Sequence, residues 1–353
     1  SFIFLTLGIA AGLAGYFLSK SADKKIAEAA NDVSEAIKEN DVNKEELNWD
    51  DVDQVDLVGL DIGYGLIPLV NPETGGQLLP RVKGVRKKLS AELGFLVQPI
   101  RIRDNLDLEP DVYNIVMNGV IRGKGEIKIG QELAINPGQV HGSLEGTPTK
   151  EPAFGLDAVW IDPAQRDYAR TLGYTVVDPA TAIATHLNTL LRNNASELIS
   201  HDETQQLLDK VAERSPKLVE DLVPEKLSLA TITKVLQNIL DESVSVRDMR
   251  TILEVLSTES SRTQDVEELT AAVRPKLGRM IVQGLVDVDD NLPVMTLNPA
   301  LEQMLNNILQ QSGSSQGLVI EPKLAESLIS ALAKNTREIE DQGSAAVLVV
   351  SPT

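Results

Sequence analysis

"AVWIDPAQRDYARTLGYTVVDPATAIATHL", Ala158–Leu187, is the stretch from which the fold reads outward. Ala158–Ile161 is an apolar run of strand length, and Tyr174–Val177, "YTVV", is a second. Each is followed by Asp-Pro. An Asp side chain accepts from the unpaired N–H groups of a helix's first turn, and a Pro at the first helical position has no N–H to leave unpaired. Asp162 and Asp178 are therefore predicted helix N-caps, and Gly173 closes the first helix. The order strand, helix, strand, helix through residues 156–193 predicts a mixed α and β fold.

Just upstream, "KEPAFGLDAVWIDP", Lys150–Pro163, places Phe154 and Trp160 in a segment punctuated by Pro152, Gly155 and Pro163. Aromatics make up 3% of the chain and none follows Tyr174, so two within seven residues call for a reason. Phe154 is either a core anchor or part of a partner-binding pocket. Trp160, between Val159 and Ile161 on a predicted strand, reads as core.

Farther upstream, "LVGLDIGYGLIPLV" (Leu57–Val70) reads as β-rich and broken by glycines. "LPRVKGVRKKLSAELGF" predicts a helix from just after Pro80 to about Gly94, with Leu79, Val82, Val85, Leu89 and Leu93 as its apolar stripe. Three strands are expected in "FLVQPIRIRD", "YNIVMNGVIRG" and "EIKIGQELAI", and Ile100 and Ile102 alternate with Arg101 and Arg103 as a half-buried sheet requires. "INPG" reads as a turn, and "RGKGEIKIG" as a hairpin turn, since it lacks the phosphate-loop pattern.

Downstream, residues from about Ala195 to Gly284 repeat apolar positions at helical spacing, in "TITKVLQNILDE", "VRDMRTILEVLS" and "VEELTAAVRPKLGRMIVQGL". Expected strands "LPVMTL", "GLVI" and "AAVLVV" then alternate with helices near 299–311 and 322–341, the pattern of a small α/β domain. The end at "VVSPT", just after a strand, and a first residue that is Ser both read as a fragment of a longer chain.

Phe2–Leu18, "FIFLTLGIAAGLAGYFL", carries no charge and as a helix would span about 25 Å, close to a bilayer's hydrocarbon thickness. It lacks the basic start of a signal peptide and reads as a membrane helix. Lys20, Lys24 and Lys25 follow it, so the positive-inside rule places the rest in the cytoplasm. From Asp23 to Asp56 twelve acidic residues face four lysines, the composition of a mobile linker, despite a weak amphipathic helix through Ile26, Ala29, Val33 and Ile37. A solvated linker has no use for an indole, so Trp49 docks either on its own domain or on a neighbour.

The net charge of −19 argues against nucleic acid as a partner, because phosphate binding needs basic surface. With no cysteine, thiol catalysis, disulfides and Cys-based zinc sites are excluded. His141, His186 and His201 do not pair at metal-ligand spacing, and neither HExxH nor G-x-S-x-G occurs. No cofactor is implied and an enzyme is poorly supported. The basic cluster Val85–Leu89, "VRKKL", is either a solvated helix face or a subunit contact; Glu45, Glu46, Asp50 and Asp51 of the linker would complement it.

Seven segments in order, "GYGLIPLV", "RIRDNLDLEPDVYNIVMNGV", "LAINPG", "EPAFGLDAVWI", "GYTVVDPATAIATHL", "KVLQNILDESVSVRDMRTILE" and "AAVRPKLGR", resemble the FlhA/FHIPEP family of flagellar type III export-gate proteins. The resemblance implies an α+β multidomain chain: the end of the last membrane helix (1–22), an acidic linker (23–56), a discontinuous first subdomain (57–129 plus 179–198), a second (130–178), a helical third (199–278) and a truncated α/β fourth (279–353). It implies a bacterial inner-membrane protein whose cytoplasmic part docks export chaperones carrying late substrates, meets other export-apparatus components and assembles into a nonameric ring. The equivalent gate of a virulence injectisome is the alternative in system, and a membrane-anchored enzyme the alternative in class.

By the same resemblance, Ile135, Pro137, Glu151, Phe154, Leu156, Val177, Ala182 and Thr185 match the chaperone-binding region, a hydrophobic dimple between the first two subdomains. Glu151 stands where the family often has Asp, and Ala182 where Val is common, which predicts a shallower wall. Glu46, Trp49 and Asp51 match the linker motif that docks on the adjacent subunit, and Arg86, Lys87 and Lys88 a basic run assigned to subunit contacts. Gly63 matches a glycine tied to domain rearrangement, and a hinge through positive φ is the expectation there.

Overall fold

Strand β1 (Val58–Ile62), buried at every position but Asp61, is the hub of the first sheet. In a computed structural model of the chain, residues 55–286, 291–312 and 321–350 are described. The expected membrane helix, the acidic linker with Glu46, Trp49 and Asp51, and the strand expected at "GLVI" lie outside them. No helix among the described residues is long and apolar enough to cross a membrane.

The run Leu57–Val70 is a strand only as far as Ile62. Beyond it come a 3-10 turn, Tyr64–Leu66, and a short helix α1 (Ile67–Val70) with Pro68 in its first turn, where a fixed φ and a missing N–H suit a helix and not a ladder. Helix α2 (Leu78–Leu93) begins at Leu78 and not after Pro80. Pro80 is within the first turn, whose N–H groups have no partner in the helix in any case. Leu78, Val82, Leu89 and Leu93 face the core, and Gly94, with φ 97°, ends the helix.

The chain returns through β2 (Arg101–Asp104), parallel to β1, and then β3 (Val112–Met117), antiparallel to it. The segment Tyr113–Gly123, expected as one strand, is two. Asn118 and Gly119, with φ of 50° and 77°, turn the chain back into β4 (Val120–Glu126), completing the order β2-β1-β3-β4. Asn-Gly is the pair that most readily takes positive φ at both positions of a tight hairpin. The hairpin turn is therefore at Asn118–Gly119; Gly123 and Gly125 of "RGKGEIKIG" lie inside β4 instead, and Gly130, at φ 81°, sits in a turn after it.

The second sheet has the order β6-β7-β5-β8, from β5 (Glu132–Ile135), β6 (Thr147–Lys150), β7 (Asp157–Ile161) and β8 (Thr175–Val177). Between β7 and β8 lie a 3-10 turn capped by Asp162, whose Oδ1 accepts from Ala164 N at 2.8 Å, and helix α3 (Arg166–Thr171). Gly173, at φ 95°, follows α3. β7 and β8 do not pair; both run antiparallel to β5, which lies between them. One face of the sheet, with Leu133, Ala158 and Trp160, joins the main core. The other, with Ala134, Ile161 and Val176, packs on Ala169 of α3.

Asp178 caps α4 (Pro179–Asn193) through Oδ1, which accepts from Thr181 N at 2.9 Å. Arg81 of α2 donates to the other oxygen of Asp178 at 2.8 Å, tying the starts of the two helices, which pack along each other. Helices α5 (His201–Ala212), α6 (Pro216–Glu220), α7 (Leu229–Asp241), α8 (Met249–Glu259) and α9 (Val266–Gln283) follow. Ser200, Ser228, Asp248 and Asp265 cap α5, α7, α8 and α9, and their leucine and isoleucine faces extend the core. In the last part β9 (Val294–Thr296) and β10 (Val347–Val349) pair in parallel, with α10 (Pro299–Ser312) and α11 (Pro322–Glu340) between them in the chain.

Candidate functional site

Lys150 pairs with Asp157 across β6 and β7, and Ile135 of β5 pairs with Ala158. The loop joining β6 to β7 and the turn after β5 therefore leave the second sheet at the same end. Asn136 N donates to Asp157 O at 2.8 Å, and Gly138 N to the Asn136 side chain at 2.8 Å, which fixes that turn.

The 151–156 loop is closed on itself. Glu151 N donates to Leu156 O at 2.8 Å, and Gly155 N to Glu151 O at 2.9 Å, with Gly155 at φ 71°. The Glu151 carboxylate turns inward. Oε1 accepts from Ala153 N at 2.9 Å and Oε2 from Phe154 N at 2.7 Å. Hydrogen bonds to an ionised acceptor are about twice as strong as neutral ones. The carboxylate is thus a clamp under the loop, only 2% exposed, and Phe154 above it is 66% exposed. Leu156 is also exposed, whereas Trp160 is 2% exposed and belongs to the core.

Two buried polar groups that sequence reasoning missed meet between β3 and α4. Tyr113 of β3 lies with its hydroxyl 2.8 Å from Nδ1 of His186 on α4, their rings edge to face at 5.8 Å between centroids. Burial and, second, the negative charge of Glu151 push the Tyr113 hydroxyl well above its ordinary range, so it stays protonated. Burial pushes the His186 imidazole down, and Glu151 opposes that without reversing it. A Cβ on Gly125 would come within 2.6 Å of the Tyr113 ring, and one on Gly123 within 2.9 Å of the His186 ring. The signal was in the sequence: two glycines two apart in a strand mark a close approach of something bulky on one face.

The expected docking residues divide. Ile135 and Val177 are half-buried on the core-facing side of the second sheet, and Pro137 is exposed on the adjoining turn. Ala182 is 1% exposed, so its methyl is core and forms no surface wall. Thr185 is half-buried and lines a groove of about 380 Å³ between α2 and α4 with Arg81, Gly84 and Lys88, on a different stripe of α4 from His186. Glu151, buried, acts on the loop and offers no surface of its own.

Gly63 departs from expectation. Its φ is −66°, a value any residue adopts, so freedom at positive φ is not why glycine is there. A Cβ would lie 2.1 Å from Glu109 O and 2.6 Å from Pro110 O: glycine is required by the approach of a second backbone. In the basic run, Arg86 turns in and donates through Nε to Val97 O at 2.7 Å, while Lys87 and Lys88 are exposed. Among the described residues no group of three or more His, Cys, Asp or Glu is set to hold a metal ion.

Fold and site together define a mixed α/β protein that displays an apolar side chain on a carboxylate-clamped loop between two neighbouring strands of its second sheet. The chain belongs to the FHIPEP family, whose model matches residues 1–353. It is 43% identical over 306 residues to the flagellar biosynthesis protein FlhA of Escherichia coli K12, covering 87% of this chain and 44% of that protein. It is 37% identical over 351 residues to the FlhA of Bacillus subtilis 168, covering 99% and 52%. The chain thus spans about half the length of the curated relatives it matches. Among solved structures, the Chlamydia pneumoniae CdsV protein superimposes with a TM-score of 0.68 at 23% identity, covering 82% of this chain and 84% of that one. Nonameric SctV-C of EPEC superimposes at 0.63 and 21%, covering 84% and 94%.

Proposed function

We propose that this chain is the docking region of a flagellar type III export gate, receiving export chaperones that carry late substrates. The observation that carries this reading is the exposed Phe154 ring, held out by the buried Glu151 clamp instead of being packed away. An apolar side chain on a rigid loop can accept one aromatic or aliphatic anchor from a chaperone's helix or tail. Burying such an anchor contributes about 1.5–3 kcal/mol, which suits reversible handover. Leu156, Ile135, Pro137 and Val177 lie on the loop, on the adjoining turn and on the face below it, and complete the apolar surface; Thr185 belongs to its α4 flank.

The name of the relatives near 40% identity favours the flagellar system over an injectisome gate. In this reading the described residues divide into the first sheet with α2 and α4, the second sheet with α3, the helices α5 to α9, and the β9–β10 unit. They lie in the cytoplasm below a membrane anchor at the chain start. Copies assemble into a ring of nine, as the similar SctV-C does. Linker residues Glu46, Trp49 and Asp51 dock on the neighbouring copy, with Lys87 and Lys88 at the subunit contact and Arg86 supporting their helix. Other export-apparatus components complete the partners. No step calls for a cofactor or for catalysis.

The test is calorimetric binding of a purified chaperone–substrate complex to this protein and to its Phe154→Ala variant. The variant is expected to bind about tenfold or more weakly while remaining folded. Equal binding by the two overturns the loop as docking site. For the ring, Trp49→Ala is expected to weaken self-association in sedimentation; an unchanged distribution sinks the linker contact.

A further inference from the structure

The Tyr113–His186 pair has no part in the docking reading, yet room is made for it. Helix α4 packs on α2, β4, β5 and the 3-10 turn Ala195–Leu198, and its His186, 8% exposed, faces Tyr113 of β3, which is fully buried. A Cβ on Gly123 or Gly125 would strike one of the two rings, so β4 forgoes two side chains there. The hydrogen bond between the rings has one workable arrangement. Among the described residues the phenol hydrogen has no acceptor other than Nδ1 of His186, 2.8 Å away. If the imidazole donated instead, a buried O–H would go unpaired and lose its hydration with nothing in return. The phenol therefore donates, and the neutral imidazole keeps its proton on Nε2, the nitrogen over Gly123.

We propose that this bond is an acid-sensitive latch, which holds α4 on the first sheet while His186 is neutral and releases the helix when the imidazole takes a second proton. That proton goes to Nδ1, and two donors then face each other across 2.8 Å. The phenol can accept from Nδ1–H only by turning its own hydrogen where no acceptor lies, and a buried cation is left behind. The charged groups on the elements packed against α4 do not relieve it. Arg81 pairs with Asp178, Arg122 with Glu197, Glu132 with Arg166, and Arg192 and Lys88 with Glu92; Arg86 donates to a backbone carbonyl, and Lys83, Lys87, Lys124 and Glu126 are exposed. Burial holds the imidazole below its ordinary value of 6.5, and the negative charge of Glu151 offsets this only in part. The unfolded chain takes up the proton near pH 6.5 and the folded chain at lower pH. The latch's contribution to stability is therefore complete above 6.5 and is lost as pH falls from there to the folded value. None of this rests on the docking reading, since it concerns only α4 and the first sheet.

The first readout is the His186 ring proton resonance, followed on the whole chain from about pH 8 to about pH 5. Its midpoint is expected below 6.5. In Tyr113→Phe, where no phenol hydrogen occupies Nδ1, the midpoint is expected to move up toward 6.5. A midpoint at or above 6.5 in the unmodified protein overturns the proposal, as does the same midpoint in both. The second readout is hydrogen-exchange protection, corrected for intrinsic rates, at the amides of Leu187, Leu190 and Leu191 in α4, set against those of α7. Protection in α4 is expected to fall by up to about tenfold per pH unit below the ordinary histidine value, with a smaller change in α7. His186→Gln, whose neutral amide can still accept from the phenol, is expected to show no such fall. Equal losses in the two helices, or the same fall in His186→Gln, overturn the latch. Should either variant not fold, the midpoint and the contrast between α4 and α7 in the unmodified protein decide.

Discussion

Phe154 N–H donates to Glu151 Oε2 at 2.7 Å, so the most exposed phenyl ring among the described residues is anchored by one of the most buried carboxylates. The bond spans only three positions, but its effect is to turn an apolar side chain outward that would otherwise seek the core.

This arrangement separates the two aromatics of the 150–163 segment. Phe154→Ala is expected to change folding stability by no more than about 0.5 kcal/mol, as surface substitutions do. Trp160→Ala, in the main core, is expected to cost about 3–5 kcal/mol. Urea denaturation of both variants measures the contrast, and similar losses in the two would contradict the exposed placement of Phe154.

Removing the clamp has a different signature. Glu151→Ala takes away the acceptor of two amides, and charge-assisted bonds of this kind contribute about 1.5–3 kcal/mol each to stability when intact. The expected outcome is a lowered melting temperature together with weaker chaperone binding, although Glu151 offers no surface to a partner. Wild-type affinity in a destabilised Glu151→Ala would mean that the loop holds its shape without the carboxylate.

At Gly63 the expectation is steric. Adding a methyl 2.1 Å from Glu109 O forces β1's end away from the 109–110 backbone, so Gly63→Ala is expected to destabilise by about 1–3 kcal/mol, as overpacking does. Chemical denaturation gives the number. A loss below about 0.5 kcal/mol would show that the two backbones part easily, which is the behaviour of a hinge.

Acid stability offers a further check at Glu203. Burial alone would raise this carboxyl, but hydrogen bonds from the Ser200 hydroxyl, the Gln98 amide and the Ser200 N–H outweigh it and hold it below its ordinary value of 4.5. A carboxyl lowered in the folded state stabilises the fold above its unfolded value, and that stabilisation is lost as pH falls through the folded one. Glu203→Gln is therefore expected to cost about 1–3 kcal/mol at pH 7, with the difference from the unmodified protein shrinking below pH 4.5. Urea midpoints measured from pH 3 to pH 7 test this; a gap that stays constant would rule out the carboxylate as its source.

Much of the architecture was legible in the chain itself because its signals are local. Asp162 and Asp178 cap helices through bonds that reach two or three residues, Gly94 and Gly173 end them by taking positive φ, and leucines at helical spacing mark one face whatever lies opposite. "MNGV" was as local, and reading through it joined β3 to β4. The segments that identify the family are local too, being strings of residues in order.

Exposure was not legible, because it depends on what distant segments place over a side chain. Ala182 and Phe154 both stood as surface candidates; the first is buried in the main core, and the second is left exposed. Gly63 looked like a point of backbone freedom until Glu109 and Pro110 were brought against it. Tyr113 and His186 are 73 positions apart, and only the packing of α4 on the first sheet makes them partners. The sequence by itself determined where helices and strands begin and end, through hydrogen bonds within a few residues and the period of apolar side chains. Which groups are buried, which are displayed and which share a proton was decided by the tertiary structure, since burial and electrostatic coupling are properties of neighbours in space.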